Sequence, residues 1–253
     1  MDLAISDKVA FIAASSDGLG KAVALELANE GVSMVICGRD LEKLNKAAAE
    51  ITRAGAKTVL PIQADLTKSK DRERLINETL EKFQRIDILI TNSGGPPTGL
   101  FESIDPKEIP KAFEQLFIST TDLIRGFLPG MKTQHWGRII TITSQAVKQP
   151  VDNLILSNSI RASVVGLMKT LASELGQYNI TVNNLMPGYT KTSRLENLIH
   201  TNPGFQEATS EIPLQRFAEP HEFASAVAFI ASNKASYITG VSLPVDGGWI
   251  RST

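Results

Sequence analysis

Short apolar runs alternate with longer amphipathic stretches along the whole chain, and this alternation constrains the fold more than any other feature. The runs are almost continuously hydrophobic, which is typical of strands covered on both faces, as in a parallel sheet. They are Val9–Ala14, Ser33–Cys37, Thr58–Ile62, Ile86–Thr91, Arg138–Thr143, Thr181–Met186 and Val241–Val245. The pattern predicts a single α/β domain over residues 1–253, doubly wound and of Rossmann type, with a parallel sheet of about seven strands.

The amphipathic stretches between the runs predict helices. They are Gly20–Asn29, Leu41–Arg53, Lys70–Phe83, Lys107–Lys132, Leu154–Gly176 and His221–Ser232. The longest weakly patterned segment, residues 189–217, follows the end of a predicted strand. Because ligands bind at that edge of a doubly wound sheet, this segment is a candidate substrate lid, with an ordinary surface loop as the alternative.

Composition excludes several classes of function. A net charge of −1 over 253 residues provides no basic surface for nucleic acid or for an anionic membrane. No apolar run approaches the roughly 18 residues of a membrane helix, and the N-terminus lacks the basic region of a secretory signal. No histidine lies in a metal-ligand spacing, so we expect no metal site. We therefore expect a cytoplasmic protein.

The single cysteine, Cys37, lies inside an apolar run. One cysteine excludes a disulfide within the chain and fits a reducing compartment. Its apolar neighbours predict a buried structural thiol rather than a reactive one.

A glycine-containing turn joins the first predicted strand to the first helix, where residues 13–20 read Ala-Ala-Ser-Ser-Asp-Gly-Leu-Gly. Glycines let the backbone approach a pyrophosphate, and the helix N-terminus offers free N–H groups and a partial positive charge. Two glycines alone are a weak signal, because many strand–helix turns contain them.

Further motifs follow the later strand ends in a fixed order. They are Asp65 in Ala-Asp-Leu-Thr, Asn92 and Gly94 in Thr-Asn-Ser-Gly, Pro187-Gly188 followed by Thr192, and Val-Asp-Gly-Gly at 245–248. Together with the glycine turn, this order resembles the short-chain dehydrogenase/reductase family over nearly the full chain. The resemblance implies a nicotinamide dinucleotide site formed by Ala14, Ser16, Asp17, Gly18, Leu19, Gly20, Arg39, Asp65, Leu66, Asn92, Gly94, Arg161, Pro187, Gly188 and Thr192.

The turn departs from the family pattern, because Ala13 and Ala14 replace its Thr and first Gly. If Ala14 needs a positive φ, its methyl group costs on the order of 1 kcal/mol. Arg39 after the second strand favours a 2′-phosphate, whereas the charge of Asp17 would repel one. We predict NADP(H) in preference to NAD(H).

The catalytic positions depart further. Ser144 matches the serine with which the family orients a carbonyl, but Ser157 and Arg161 stand where it has Tyr and Lys, and Leu116 where it has Asn. A serine hydroxyl is a far weaker acid than a phenol near pKa 10, and an arginine does not donate its proton at ordinary pH. Ser144, Ser157 and Arg161 therefore predict a polar anion-binding constellation rather than the family's proton relay.

Two other residues could replace the missing proton donor. Tyr189 follows the stretch that the family places against the nicotinamide, and we hypothesise that it is the substitute donor; the alternative is that it only lines the pocket. Lys148 lies in the loop after Ser144, where a solvated charge is the favoured interpretation.

These features favour an oxidoreductase resembling the 3-oxoacyl-(acyl carrier protein) reductases, acting on a carbonyl or hydroxyl group of a small-molecule substrate. One alternative is a non-catalytic protein that keeps the fold and binds a dinucleotide or another ligand. Another is a non-redox lyase, as in the family's halohydrin dehalogenases. By analogy we expect a homo-oligomer, a dimer or tetramer, formed through an apolar stripe on the predicted helix 154–176 and through segment 249–253.

Overall fold

The computed structural model describes residues 2–201 and 203–252. Met1, Asn202 and Thr253 lie outside the described residues. They belong to the predicted domain 1–253, lid 189–217 and segment 249–253, and those predictions are followed here only over the described part.

The described residues contain a parallel sheet of seven strands in the order β3-β2-β1-β4-β5-β6-β7. Its strands are β1 Val9–Ile12, β2 Ser33–Gly38, β3 Val59–Gln63, β4 Ile88–Thr91, β5 Gly137–Ile142, β6 Ile180–Pro187 and β7 Ser242–Val245. The order reverses between β1 and β4, which is the switch point where such sheets bind ligands. The predicted doubly wound α/β fold is confirmed.

Helices cover both faces of the sheet. The α-helices are α1 Gly18–Asn29, α2 Leu41–Arg53, α3 Ser69–Phe83, α4 Glu108–Phe113, α5 Ser119–Gln134, α6 Ile155–Leu175, α7 Ser193–Thr201 and α8 Pro220–Ala231. A π-helical segment, Glu114–Ile118, joins α4 to α5. Short 3-10 turns are Phe101–Ser103, Gln145–Val147, Gly176–Tyr178, Pro203–Glu211 and Asn233–Ala235. Within the described residues, none of the helices is long and apolar enough to span a membrane.

The core has two parts, one on each face of the sheet, because successive side chains of a strand point to opposite faces. In β1, Ala10 and Ile12 pack against α1, α2 and α8, whereas Val9 and Phe11 pack against α3, α5 and α6. The strands are therefore apolar on both sides, which explains the continuous hydrophobic runs in the sequence.

Three predicted elements need correction. The first strand ends at Ile12, before Ala14, whose φ of +48° is incompatible with a strand. The predicted helix 107–132 is interrupted by the π-helical segment, which shifts the register of the side chains that follow. Segment 189–217 contains α7 and a 3-10 turn, and its apolar positions Leu195, Leu198 and Ile199 follow helical spacing.

The apolar stripe of α6 is part of the protomer's own core. Val164, Met168 and Leu175 are buried against the sheet, and Ile160 is buried in a smaller cluster with Leu116. The stripe is therefore not a free surface for a second copy, and the expected oligomer rests on the family resemblance alone.

Candidate active site

The glycine turn after β1 is held in one conformation by close packing. Ala14 has a φ of +48°, a value for which its methyl group carries a cost of about 1–2 kcal/mol. A Cβ added to Gly20 would overlap the carbonyl oxygen of Ala14 and lie 3.0 Å from the Cα of Ser15. Asn92, at the end of β4, donates from Nδ2 to the same Ala14 oxygen at 3.5 Å. The turn therefore tolerates alanine at position 14 but requires glycine at position 20.

Asp17 begins α1 and uses both of its carboxylate oxygens. Oδ1 accepts the N–H of Gly18 at 2.7 Å, and Oδ2 accepts the hydroxyl of Ser193 at 2.7 Å. Burial alone would raise the pKa of Asp17, but these hydrogen bonds and the nearby charges of two lysines hold it below its ordinary value. Thr192 also lies over the turn, 3.6 Å from where a Cβ on Gly18 would be. Asp17 thus connects the turn directly to segment 189–217.

The next part of the predicted cofactor site lies at the ends of β2 and β3. Ser16 packs on Gly38, where an added Cβ would be 2.6 Å from the Ser16 hydroxyl. Arg39 follows with an exposed side chain. Asp65 accepts from the backbone N–H and hydroxyl of Thr67 at 3.0 and 2.8 Å. Burial alone would raise the Asp65 pKa, but those bonds and the charge of Arg39 lower it.

Two further residues complete this end of the site. Leu66, the neighbour of Asp65, is buried, and its carbonyl oxygen accepts Nη1 of Arg72 at 2.8 Å. Leu19 lies partly exposed in the first turn of α1, between the two glycines. Arg39, which is exposed and follows the Gly38 on which the Ser16 hydroxyl packs, suits a 2′-phosphate.

Cys37 lies immediately behind the glycine turn. Its backbone N–H donates to the hydroxyl of Ser15 at 3.1 Å, and its side chain is fully buried. Burial raises the pKa of the Cys37 thiol to about 12. The prediction of a buried structural thiol is confirmed.

The loop after β4 supports the middle of the cleft. Gln115, from the π-helical segment, donates from Nε2 to the Gly94 carbonyl oxygen at 2.9 Å. Arg194, in the first turn of α7, lies directly against Gly95, so that an added Cβ would be 2.5 Å from its Cζ. Neither contact has a signal in the sequence.

The end of β5 brings Ser144 and Arg161 together. Arg161 is buried and donates from Nη1 to the carbonyl oxygens of Ile142 at 3.2 Å and Thr143 at 3.1 Å, directly before Ser144. Ser144 Oγ accepts the N–H of Ala146 at 3.2 Å, which leaves its own hydrogen free to donate. Burial, reinforced by the positive charge of Arg194, lowers the pKa of Arg161 to about 10, so the group stays charged at neutral pH.

Ser157 lies one helical turn before Arg161 on α6 and is also buried. Leu116, at the position expected for the family's asparagine, is also buried. It lines a cavity of about 10 Å³ together with Asn92, Thr143 and Arg161. That volume is close to the minimum for one water molecule, which needs about 10–15 Å³.

The end of β6 closes the other side of the cleft. Gly188 donates its N–H to the Val245 carbonyl oxygen at 2.9 Å, and an added Cβ would lie 2.6 Å from the Cα of Asp246. The same position is 3.0 Å from Oε1 of Gln145, a buried oxygen without a hydrogen-bond partner in the described residues. Gly188 therefore needs close backbone packing, and Gln145 is a polar group that sequence reasoning missed.

Tyr189 does not join Ser144 and Arg161. Its ring packs edge-on against Phe205, Phe217 and Trp249, with centroid distances of 5.3, 6.1 and 6.1 Å. Burial, together with the nearby charge of Glu211, raises its pKa. Lys148 is exposed and lines a separate cleft of about 320 Å³ between α6 and β7, away from Ser144.

The residues present fit a dinucleotide. Glycine at positions 20, 38 and 188 lets the turn and the neighbouring strand ends pack closely on one another, and α1 presents its N-terminus at the switch point. Within the described residues, no group of three or more His, Cys, Asp or Glu side chains could hold a metal ion.

Comparison with known proteins agrees with this geometry. The family model described as enoyl-(acyl carrier protein) reductase matches residues 13–250. The chain is 30% identical to the NADPH-dependent reductase BacG of Bacillus subtilis, covering 98% of this chain and 100% of that protein. It is 32% identical to the dehydrogenase/reductase SDR family member 4 of Oryctolagus cuniculus, covering 96% and 94% respectively.

A solved structure gives the same result. L-sorbose reductase from Gluconobacter frateurii, in complex with NADPH and L-sorbose, matches with a TM-score of 0.94 at 30% identity, and 100% of both chains is covered. BacG and this reductase are both named with NADPH, in agreement with the predicted cofactor. The family resemblance found in the sequence is confirmed, and the chain belongs to the short-chain dehydrogenase/reductase family of NAD(P)-dependent oxidoreductases.

Proposed function

We propose that the protein is an NADP(H)-dependent oxidoreductase that interconverts a carbonyl and a hydroxyl group of a small molecule, as 3-oxoacyl reductases do. The observation that carries this proposal is the position of Arg161, whose guanidinium binds the carbonyl oxygens of Ile142 and Thr143 beside Ser144. A positive charge therefore remains at the end of β5, although the family's Tyr and Lys are absent. We therefore propose that the site acts through other residues and has kept its activity.

The cofactor would be held mainly by backbone. The glycine turn and the N-terminus of α1 suit a pyrophosphate, while Ser16 and Arg39 suit a 2′-phosphate. The NADPH in the names of two relatives supports the same choice. When bound, NADPH supplies the hydride that adds to the carbonyl carbon of the substrate.

The chain's own groups would act on the carbonyl oxygen. Ser144 and Ser157 donate hydrogen bonds to it, and the charge of Arg161 stabilises the negative charge that develops there. Neither a serine hydroxyl nor a guanidinium releases a proton readily at neutral pH. The proton that completes the alcohol therefore comes from water.

Tyr189 remains the alternative proton donor. Its raised pKa and its aromatic surroundings make proton release harder, which favours water as the donor. If Tyr189→Phe abolishes turnover without weakening NADPH binding, the donor is Tyr189 and not water. Full turnover in this variant would exclude Tyr189.

Binding and turnover together test the proposal. We expect calorimetry to give micromolar binding of NADPH and weaker binding of NADH, and absorbance at 340 nm to fall when aldehydes or ketones are added. Ser157→Ala should lower the rate, whereas Ser159→Ala, which removes an exposed serine of the same helix, should not. Tight NADPH binding with no turnover of any carbonyl would favour the non-catalytic alternative. Absence of dinucleotide binding would favour either the lyase or a non-catalytic protein that binds another ligand.

Two further expectations are part of the proposal. We propose that the protein forms a dimer or tetramer, supported by the family resemblance, and light scattering after size exclusion should give two or four copies of the 27.4 kDa chain.

We also propose a cytoplasmic location, supported by the composition. Fractionation of the producing cells tests it.

A further inference from the structure

Arg72, in the first turn of α3, is a buried charge that binds three different parts of the protein. Its side chain is only 3% exposed. Nη1 donates to the Leu66 carbonyl oxygen at 2.8 Å, in the loop after β3. Nη2 binds Oε1 of Glu114 at 2.7 Å, and Nε binds Oδ2 of Asp122 at 2.8 Å. One side chain therefore joins the candidate cofactor site at Asp65 and Leu66 to the π-helical segment and to α5.

A buried ion network of this kind adds little to stability. Removing charges from water costs about as much as their attraction returns, so apolar residues of the same size are often equally stabilising. What the network supplies is geometry, because a guanidinium presents its N–H donors in a rigid planar fork. The three acceptors of Arg72 are therefore held in fixed positions relative to α3.

The π-helical segment is what brings Glu114 and Asp122 to the same guanidinium. In a regular α-helix, residues eight positions apart lie roughly 80° from each other around the axis. The extra residue of the π turn rotates the later side chains back by roughly 100°, which leaves the two carboxylates within roughly 20° of each other. In this register they share one face of the helix, and a single arginine binds both.

The same register sets the side chain that supports the loop after β4. The Ser119 N–H donates five residues back, to the Glu114 carbonyl oxygen, which is the bond that defines a π turn. Gln115 follows Glu114 and donates from Nε2 to the Gly94 carbonyl oxygen at 2.9 Å. Removal of the extra residue would rotate Gln115 by roughly 100° relative to Asp122, so that their two contacts could not both persist.

We propose that Arg72 is a positioning residue of the dinucleotide site. It holds the loop after β3 directly, through Leu66, and the loop after β4 indirectly, through the register that presents Gln115 to Gly94. This role rests on the proposed function for the cofactor, whereas the coupling of the two loops rests on the contacts of Arg72 alone. The alternative, an ion network that only ties α3 to α5, predicts changes in stability without changes at the site.

The first test separates positioning from stability. Arg72→Met leaves two carboxylates without their partner, so we expect a lower melting temperature. Adding Glu114→Gln and Asp122→Asn removes those charges at nearly constant shape and should recover most of that loss. Kd for NADPH should stay about tenfold higher in both variants, the equivalent of one lost hydrogen bond to a charged group. Recovery of the affinity together with the melting temperature would overturn the positioning role.

The matched control is Arg125→Met, which makes the same chemical change at an exposed arginine of α5. We expect its melting temperature to be unchanged and its Kd for NADPH to stay within about twofold of the wild type. An equal loss of affinity in Arg72→Met and Arg125→Met would show that positive charge, and not the contacts of Arg72, sets the affinity. That result would also overturn the positioning role.

The second test asks whether Arg72 acts through Gln115. Gln115→Ala removes the bond to Gly94 and should raise Kd for NADPH by about threefold, the equivalent of one neutral hydrogen bond. Combined with Arg72→Met, it should raise Kd no further than Arg72→Met does alone, because the bond to Gly94 is already lost. Losses that simply add would show that the two residues act independently and would overturn the coupling through the π-helical segment.

The third test needs no cofactor. Hydrogen exchange followed by mass spectrometry reports local opening of the backbone in the free protein. In the variant that lacks Arg72 and both acids, peptides containing Leu66 and Gly94 should exchange about tenfold faster than in the wild type. Peptides of α8, which packs on the other face of the sheet, should be unchanged and are the internal control.

The outcomes separate this role from the proposed function. If the wild type binds no dinucleotide, the proposed function fails and hydrogen exchange decides on Arg72. Faster exchange at both loops would then support its positioning role, and unchanged exchange would overturn it. If NADPH is bound and turned over, but Arg72→Met binds it as tightly as the wild type, the proposed function stands and the positioning role is overturned.

Discussion

The glycine turn and the end of β5 both depart from the family pattern, but they differ in what performs the function. In the proposed function the turn would hold the dinucleotide through backbone atoms, so that Ala14 adds strain while the contacts of Gly20 and the N-terminus of α1 remain. In the proposed reaction the end of β5 acts through side chains, and there Ser157 and Arg161 would change which protons can move. Substitution in a site made of backbone changes an affinity, whereas substitution in a site made of side chains changes the chemistry.

We expect the largest effect from a substitution at the end of β5, where side chains are proposed to act on the substrate. Ser144→Ala should lower kcat by about 10²–10³-fold, because it deletes a hydrogen-bond donor to the developing negative charge. Kd for NADPH should stay within about twofold, since the turn is untouched. Steady-state kinetics with calorimetry measure both values. Full turnover in this variant would show that Ser144 does not contact the reacting oxygen.

The glycine turn is tested by adding a methyl group where its backbone packs most closely. Gly20→Ala should lower the free energy of unfolding by about 1–3 kcal/mol and abolish detectable NADPH binding, because the new methyl group overlaps backbone atoms that have no room to move. Denaturant titration gives the first value and calorimetry the second.

Gly166→Ala is the matched control for this substitution. Nothing lies within 4 Å of a Cβ added there, in the middle of α6. This variant should raise the free energy of unfolding by about 0.4–1 kcal/mol and leave binding unchanged. Equal behaviour of the two glycine variants would show that the turn is less constrained than its contacts indicate.

Arg39 gives a finer test, because it is a side chain in a proposed cofactor site that consists mainly of backbone atoms. Arg39→Ala should raise Kd for NADPH by about tenfold, the equivalent of one exposed charged hydrogen bond, and leave Kd for NADH unchanged. The control is Arg53→Ala, which removes an exposed arginine at the opposite end of α2. An equal loss for NADPH and NADH would mean that Arg39 does not bind the 2′-phosphate.

The smallest effect is expected at Ala14. Ala14→Gly relieves about 1–2 kcal/mol of left-handed strain but adds about 0.5–1 kcal/mol of chain entropy, so a net stabilisation of about 0.5–1 kcal/mol should follow. Denaturant titration measures it, and calorimetry should show tighter NADPH binding. A loss of stability would mean that the turn relaxes in solution to a conformation that suits alanine.

Sequence patterns predicted the sheet well because burial on both faces makes each strand apolar throughout. Patterns failed where one backbone conformation decided the outcome. Ala14 ends β1 two residues early through its positive φ, and the π-helical segment brings Gln115 to Gly94 by an extra residue in one turn. The positive φ of Ala14 leaves the hydrophobic pattern of its strand unchanged, and the π-helical segment offsets the helical pattern by only one residue.

Only those residues of the candidate site that belong to a sequence motif could be predicted. Ser144, Ser157 and Arg161 follow from the family resemblance, and the structure places Arg161 at the backbone beside Ser144. Arg194 has no such signal, because its contact with Gly95 joins residues that are far apart in the chain. Long-range contacts of single side chains depend on how segment 189–217 packs on the rest of the protein, which no local pattern encodes.

The burial of Cys37 behind the glycine turn has a consequence for how the protein meets oxidants. With a thiol pKa of about 12, only about one molecule in 10⁵ carries the reactive thiolate at pH 7, and solvent does not reach it. Peroxide and alkylating reagents should therefore leave the dinucleotide site intact while the protein is folded. Occupancy of the dinucleotide site would then depend on the cellular supply of cofactor and not on the thiol redox state of the cell.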